Sequence, residues 1–260
     1  VSVFEGDAQM KNLFNRIFID ALTGMAQGLF ATLIVGTIIQ QVGNLVGGDI
    51  GAMIFLLGKV AAALTGAGTG VGVACKFKGS PLVVVSAAIA GMVGAFSSKL
   101  LAGTVLVEGA IVLAGPGEPL GAFLAAYVAI ELGNLVSGKT KVDILVTPIV
   151  TIAAGSVVGL ILGPPISQFM LALGQMINWG TEQQPFLMGI IVSVLMGMIL
   201  TLPISSAALG VILNLGGLAA GAATVGCCCQ MVGFAVMSFK ENRFGGLLSQ
   251  GLGTSMLQMP

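Results

Sequence analysis

Hydroxyl side chains and a proline interrupt the apolar sequence in the stretch TLPISSAALG, residues 201–210. Thr201, Ser205 and Ser206 can each donate and accept hydrogen bonds. Pro203 prevents a regular helix through this stretch, so that backbone groups are left without helical partners. Transporters use such broken helices to hold polar solutes. The stretch therefore predicts either the lining of a solute site or a short turn between two apolar runs.

A second polar stretch is NWGTEQQPF, residues 178–186, in which Glu182, Gln183 and Gln184 precede a proline. Carboxylate and amide groups form hydrogen bonds with hydroxyl groups, the polar groups of a sugar. Glu182 and Gln183 are therefore candidate solute-binding residues. The alternative is an ordinary extracytosolic loop, with Trp179 as an anchor at the membrane surface.

Lys59 and Glu131 are ionisable residues inside apolar runs. A charge at membrane depth is costly, and such residues are usually functional or paired. Asn134 follows Glu131 by one helical turn on the same face. We predict an ion pair between Lys59 and Glu131, which either serves function or only specifies packing. The alternative is a Glu131 close enough to the membrane surface to be solvated.

The residues needed for several kinds of catalysis are missing or wrongly spaced. The sequence contains no histidine, which excludes Ser-His-Asp triads and histidine-ligated metals within this chain. Its cysteines are Cys75 and the adjacent Cys227, Cys228 and Cys229. Structural zinc sites need paired ligands a few residues apart, so we predict no metal, no cofactor and no catalytic residue. The cysteines are expected to be small buried side chains, with a reactive or palmitoylated thiol as the alternative.

The composition is that of an integral membrane protein. Of the 260 residues, 56% are hydrophobic and 8% are charged, and the mean hydropathy is +1.07. Soluble domains carry about 25% charged residues. The net charge of zero gives no electrostatic reason to expect a nucleic-acid partner. Lipid-facing backbone must satisfy its own hydrogen bonds, which favours membrane-spanning helices.

The apolar runs predict an all-α, polytopic membrane protein with about eight spans. A re-entrant element at 105–113 and an amphipathic element at 166–179 are expected in addition. The GAGTGVG stretch, 66–72, lacks a preceding strand and the spacing of a dinucleotide-binding motif, so it predicts helix packing or a flexible break. Close helix contacts are also expected at glycines four residues apart. These are Gly24/Gly28, Gly155/Gly159/Gly163 and Gly217/Gly221. The runs cover residues 21–46, 50–74, 82–96, 120–136, 144–162, 186–202, 207–223 and 225–239.

The positively charged residues predict an orientation, because Lys and Arg concentrate on the cytosolic side. With a cytosolic N-terminal segment, 1–19, eight passes place four clusters in the cytosol and leave Lys99 outside. The turn KTKVDILVTP, 139–148, either follows this rule alone or also docks an acidic or phosphorylated protein. The four clusters are Lys11 with Arg16, Lys76 with Lys78, Lys139 with Lys141, and Lys240 with Arg243.

Several long strings resemble the membrane subunits, EIIC, of the bacterial phosphotransferase system. The segment from PLGAFLAAYVAIELGNLVSGKTKVDILVTP to LGPPI looks like the fructose-type subunits, and KGSPLVVVSAAIAGMVGAF resembles their proline loop and the helix after it. The strings TEQQPFLMG, LPISSAA and GAATVGCCCQMVGFA are similar to a divergent EIIC family of unassigned substrate. The resemblance covers about the whole chain, which would form a single EIIC-like transmembrane domain.

The resemblance implies a homodimeric permease of the bacterial cytoplasmic membrane. Such a subunit binds a sugar or polyol and presents it to a partner, EIIB, which carries the phosphoryl group. The chain itself would need no phosphate-carrying nucleophile. Its expected binding partners are the solute, EIIB and membrane lipid.

One departure from the fructose-type pattern concerns an acid. Where those relatives have ITEGAIPF, whose glutamate binds the sugar hydroxyl, this chain reads GTSMLQMP, 253–260. Ser255 and Gln258 stand there and can form hydrogen bonds with a hydroxyl, but they are poor proton acceptors. Family members continue beyond the position of Pro260, so a truncated C-terminus is expected. A transporter that does not phosphorylate, and a ligand-binding sensor or scaffold, are the alternatives to a phosphotransferase permease.

Overall fold

The structure is a computed structural model that describes residues 16–107, 109–201 and 215–253. Nearly all of these residues are helical, which confirms the predicted all-α membrane fold. The described ranges contain eleven α-helices and one small β-hairpin. The α-helices are α1 Leu22–Leu29, α2 Val35–Val46, α3 Gly48–Ala63, α4 Thr65–Lys76, α5 Pro81–Ala95, α6 Ser97–Leu101, α7 Pro119–Val136, α8 Asp143–Gln183, α9 Pro185–Ile199, α10 Gly217–Met237 and α11 Phe239–Leu248.

Three π-helical segments adjoin these helices, at Arg16–Ala21, Phe30–Ile34 and Ser249–Gly253. The first two join α1 and α2 into one continuous apolar segment, Ile19–Val46, which matches the predicted run 21–46. The segment ends at Gly47, whose φ of +65° is a left-handed conformation that glycine adopts readily. Helix α3 then returns along α2 as an antiparallel hairpin, with Gly36 against Gly58 and Gly43 against Gly51.

Four helices of the described residues are long and apolar enough to cross a membrane, and a fifth span results if α3 and α4 are counted together. Those two helices meet at Leu64 with a bend of 53°. Helices α5 and α9 are apolar but shorter. The eight-pass count therefore stays a prediction, as does the side of the membrane on which each lysine cluster lies.

The predicted re-entrant stretch 105–113 contains a β-hairpin. Leu106 pairs with Ile111 and Val107 with Ala110, in antiparallel register. Gly109 has φ +81°, which suits the tight turn.

Helix α8 is much longer than the sequence predicted. The run 144–162 was expected to end at GPP, yet the helix continues through Pro164 and Pro165 to Gln183 and includes the predicted amphipathic stretch 166–179. Proline's fixed φ is compatible with a helix, and neighbouring helices can support the freed backbone in a membrane protein. Here Gly163 lies against Ser97, at the start of α6. At about 1.5 Å per residue α8 is about 60 Å long, about twice the hydrocarbon thickness, and its candidate span is Asp143–Phe169.

The helices form two groups that α8 connects. In the first bundle, α1 and α4 to α7 pack together with the N-terminal part of α8. Its core contains Met25, Leu29, Val73, Phe123 and Ile130. In the second bundle, α9 and α10 pack against each other and contact α8.

Glycines on α4 allow three helices of the first bundle to approach at the level of their backbones. A Cβ atom added at Gly28 of α1 would collide with the backbone of Gly68, and one added at Gly70 would collide with the carbonyl of Ala87 on α5. Gly72 is similarly placed against Gly24. The prediction that GAGTGVG serves helix packing is therefore confirmed.

The other glycine series give different outcomes. Gly155 and Gly159 of α8 lie against Ala90 and Gly94 of α5, as their spacing predicted. Gly221 and Gly217 of α10 have no described atom within 4 Å of an added Cβ, so the predicted close contact is wrong for this pair within the described part of the chain. A four-residue spacing places glycines on one face of a helix, but it does not show whether another helix packs against that face.

The predicted ion pair between Lys59 and Glu131 is wrong, because Arg16 takes the place of the lysine. The Arg16 guanidinium lies 2.9 Å from a carboxylate oxygen of Glu131, and the two side chains are 48% and 30% exposed. The same guanidinium stacks over the ring of Phe77, 4.9 Å from its centroid. Lys59 is exposed on α3, which packs mainly against α2 and not against α7.

Glu118 caps the first turn of α7 from within the protein. Its carboxylate accepts hydrogen bonds from the N–H groups of Leu120 (3.0 Å) and Gly121, and its own N–H donates to the carbonyl of Ala95 at 2.8 Å. Burial raises the pKa of the Glu118 carboxyl above its usual value near 4.5, although the two N–H groups act in the opposite direction.

A first prediction concerns the backbone contact at Gly70. Gly70→Ala should lower the thermal stability in detergent, since an atom that does not fit a packed interface typically costs about 1–3 kcal/mol. Gly221→Ala is the matched control, because no described atom lies within 4 Å of a Cβ added at Gly221 and alanine favours a helix over glycine. Equal melting temperatures for the two variants would contradict close packing at α4.

A second prediction concerns the partner of Glu131. A double-mutant cycle with Arg16→Met and Glu131→Gln should show a coupling free energy of up to about 1 kcal/mol, because the pair is partly exposed. A cycle with Lys59→Met and Glu131→Gln should be additive. Unfolding in detergent measures both, and coupling in the second cycle alone would restore the lysine as the partner.

A third prediction concerns pH and Glu118. Because the folded-state pKa of Glu118 is raised, its contribution to stability is fully present below the unfolded pKa and is lost as the pH rises through the folded pKa. Glu118→Gln keeps an oxygen that accepts hydrogen bonds and carries no charge. Between pH 4 and neutral pH, the melting temperature of the parent protein should therefore fall relative to that of Glu118→Gln. A constant difference between the two would refute the expectation.

Candidate functional site

A cavity of about 400 Å³ lies between the C-terminal end of α8 and the N-terminal end of α10. Its size falls within the range of about 300–1,000 Å³ that is typical of small-molecule sites. The lining combines three polar side chains with the first turn of a helix. Among the described residues, the lining consists of Asn178, Thr181, Glu182, Gly216, Gly217, Leu218 and Ala219.

The last turns of α8 place the three polar side chains on one face. Asn178, Thr181 and Glu182 are spaced i, i+3 and i+4, which brings side chains together on a helix. Thr181 is buried, and its hydroxyl donates to the carbonyl of Ile177 at 2.8 Å. Its oxygen keeps the capacity to accept a hydrogen bond. Glu182 is exposed and places a carboxylate at the cavity.

Helix α10 contributes backbone donors. Its N-cap, Gly216, is extended and forms no side-chain cap hydrogen bond, and Gly217 has φ +51°. The first N–H groups of a helix have no partner within the helix, and this end carries a partial positive charge. The first turn of α10 lines the cavity, so these N–H groups complement the carboxylate and amide oxygens of α8.

An apolar cluster lies where α9 packs against α10 and contacts α8. Val192 and Met196 of α9 pack with Ala223 of α10, and Ile177 of α8 packs against this group. The buried cluster ties the three helices together, and two of them line the cavity. Their polar groups are therefore held on packed helices, which position a site more accurately than loops do.

A second, smaller cavity of about 310 Å³ lies between α9 and α10. Ser193, Cys229 and Gln230 are among its lining residues, and Gly226 brings the two helices into contact. The predicted burial of the cysteines is wrong for Cys75, Cys228 and Cys229, which are exposed, while Cys227 is half-buried. Cys229 is exposed although it lines this cavity.

The sequence-predicted site residues have different positions. Glu182 lines the larger cavity, whereas Gln183 is exposed beside it and is not part of the lining. Thr201 is partly buried just after α9, and its hydroxyl donates to the carbonyl of Met198 at 2.5 Å. Ser205, Ser206, Ser255 and Gln258 lie outside the described residues, and their roles stay predictions.

Asn178, Thr181 and the glycines of α10 were not among the predicted binding residues. The stretch 178–186 was interpreted as a possible loop, which concealed the helical spacing of Asn178, Thr181 and Glu182. Nothing in the sequence indicated that this stretch lies close to Gly216 and Gly217 in space. In the described ranges no group of His, Cys, Asp and Glu could hold a metal ion.

Comparison with known proteins identifies the family. The family model described as "Phosphotransferase system, EIIC" matches residues 19–260. The searches of curated proteins and of solved structures found no match. The family match covers nearly the whole chain and agrees with the apolar helices. The chain therefore belongs to the EIIC family of the phosphotransferase system, whose members are integral membrane permeases for sugars.

Proposed function

We propose that the cavity between α8 and α10 binds one sugar or polyol, which the chain carries across the bacterial cytoplasmic membrane and presents to EIIB. The observation that supports this most is the composition of the lining. A carboxylate, an amide, a hydroxyl and helix N–H groups surround a space of about 400 Å³, and a polyhydroxylated molecule needs both donors and acceptors.

We propose that Glu182 binds the solute hydroxyl that is to be phosphorylated. Fructose-type relatives use a glutamate where this chain has Ser255 and Gln258, so another acid must supply the carboxylate if the solute is phosphorylated. Glu182 lines the cavity. Its carboxylate would accept the hydrogen bond of a solute hydroxyl and, once transport has opened the cavity to the cytosol, would orient the oxygen for attack on the phosphorus atom held by EIIB. The hydroxyl proton would pass to the carboxylate as the new P–O bond forms and the bond to EIIB breaks.

The proposal includes a fructose-type relationship, a homodimer, a cytosolic N-terminus and EIIB as the phosphoryl donor. The sequence resemblance supports these features. Thr201, Ser205 and Ser206 remain candidate residues along the solute path, because they follow α9 in the sequence and α9 packs against α10. A transporter that releases unmodified solute is the second candidate function, favoured by the serine and glutamine at the position of the family glutamate.

The test compares Glu182→Gln with Gln183→Ala in nanodiscs, over a panel of sugars and polyols. A hydrogen bond to a charged group typically contributes about 1.5–3 kcal/mol, so Glu182→Gln should weaken binding about 10-fold to 100-fold. Gln183→Ala, which alters an exposed neighbour outside the lining, should bind as the parent does. Equal affinities for the three proteins would move the solute site away from this cavity.

Transport assays separate the candidate functions. In membrane vesicles supplied with phosphorylated EIIB, the parent chain should accumulate phosphorylated solute and Glu182→Gln should lose this activity. Uptake of unmodified solute, independent of EIIB, would favour the transporter that does not phosphorylate. Binding without any uptake would favour a membrane sensor or scaffold.

A further inference from the structure

Two loops at one end of the first bundle carry four lysines and are joined by a hydrogen bond. One loop follows α4, and the other connects α7 to α8. The hydroxyl oxygens of Ser80 and Ser137, one from each loop, are 2.8 Å apart. All four lysines are exposed and lie within four residues of one of these serines. They are Lys76, Lys78, Lys139 and Lys141, and together they are called the lysine patch below.

Backbone hydrogen bonds close both loops. In the first loop, the N–H of Lys78 donates to the carbonyl of Cys75 at 3.1 Å, and Lys78 itself has φ +53°. In the second, the N–H of Lys139 donates to the carbonyl of Val136 at 3.1 Å. The Asp143 carboxylate accepts the N–H of Gly138 at 2.9 Å. The backbone that carries the lysines is therefore already arranged before anything binds.

Within the described ranges, the Asp143 carboxylate offsets only part of the positive charge of the lysine patch. Asp143 is the carboxylate of the second loop, and it accepts hydrogen bonds from Gly138 and from the Thr147 hydroxyl at 2.6 Å. Glu131, on α7, is paired with Arg16. None of the four lysines forms an ion pair with a described residue. Four like charges on adjoining loops favour an anion that is not part of this chain.

Large, exposed apolar side chains are close to the lysines of the second loop in the sequence. Leu135 is 60% exposed, Val142 56%, Ile144 71% and Leu145 61%. These residues lie at the ends of two candidate spans, Pro119–Val136 and Asp143–Phe169. A soluble acidic protein would leave such side chains facing water or would need an apolar surface of its own. A phospholipid has a charged headgroup at the membrane surface and apolar acyl chains below it. The lysines and the apolar side chains would meet these two parts in turn.

We propose that the lysine patch binds the phosphate headgroup of an anionic phospholipid, whose acyl chains cover Leu135, Ile144 and Leu145. Clusters of lysines next to membrane helices attract anionic headgroups. The hydrogen bond between Ser80 and Ser137 keeps the two loops together, so both loops contribute to one headgroup site. The site is independent of the solute cavity, which lies in the second bundle.

The experiment measures binding of phosphatidylglycerol and of phosphatidylcholine to the purified full chain in neutral detergent, by native mass spectrometry. Phosphatidylglycerol should bind more tightly to the parent protein. Lys78→Gln with Lys139→Gln should weaken its binding about 25-fold, since each surface lysine contributes about fivefold. Lys240→Gln with Arg243→Gln, which removes two exposed positive charges outside the patch, is the matched control and should bind as the parent does.

Further arms distinguish a lipid site from a site for a soluble phosphorylated molecule. Lys78→Arg with Lys139→Arg should restore phosphatidylglycerol binding, which separates loss of charge from misfolding. Glycerol 3-phosphate carries a phosphate group without acyl chains and should bind at least about a hundredfold more weakly than phosphatidylglycerol. Comparable affinities for these two ligands would overturn the lipid assignment in favour of a soluble phosphorylated partner. Equal losses in the patch variant and the control, or no preference over phosphatidylcholine, would overturn the site itself.

Discussion

Direct contact between helix backbones at α4 is the constraint on which the first bundle depends. Gly68 and Gly72 meet α1, and Gly66 and Gly70 meet α5, on two faces of one short helix. In a membrane, lipid tails are as apolar as leucine, so helices associate through close van der Waals packing more than through burial from water. Any side chain on these faces would separate the helices. The glycines of α4 therefore act through packing.

Helix α8 connects this rigid bundle to the second one. Its N-terminal part packs against α5 and α7, where Gly155 lies against Ala90 and Ala129. Its last turns carry Asn178, Thr181 and Glu182 at the cavity. One continuous helix thus connects the cavity to the packed core, across Pro164 and Pro165. Movement of either bundle relative to the other must pass through this helix.

Most of the acidic residues discussed above form contacts that stabilise the fold, whereas Glu182 is the one that we propose for ligand binding. Glu131 is engaged by Arg16, Glu118 caps α7, and Asp143 holds the loop before α8. Glu182 forms no ion pair with a described residue and lines the cavity. A sugar permease needs groups that bind and orient its solute.

Hydropathy alone determined the membrane class, the all-α fold and most apolar helices, because burial in lipid requires long apolar segments. It could not show that α8 continues through Pro164 and Pro165, since support from Ser97 and α6 comes from a distant part of the chain. Spacing likewise identified Glu131 as a residue needing a partner but selected Lys59, whereas the structure brings in Arg16, 115 residues away. Glu182 was recognisable as part of a polar stretch that precedes a proline. Only the tertiary structure decided that the start of α10 faces it, because a cavity between two helices depends on their packing and not on either sequence alone.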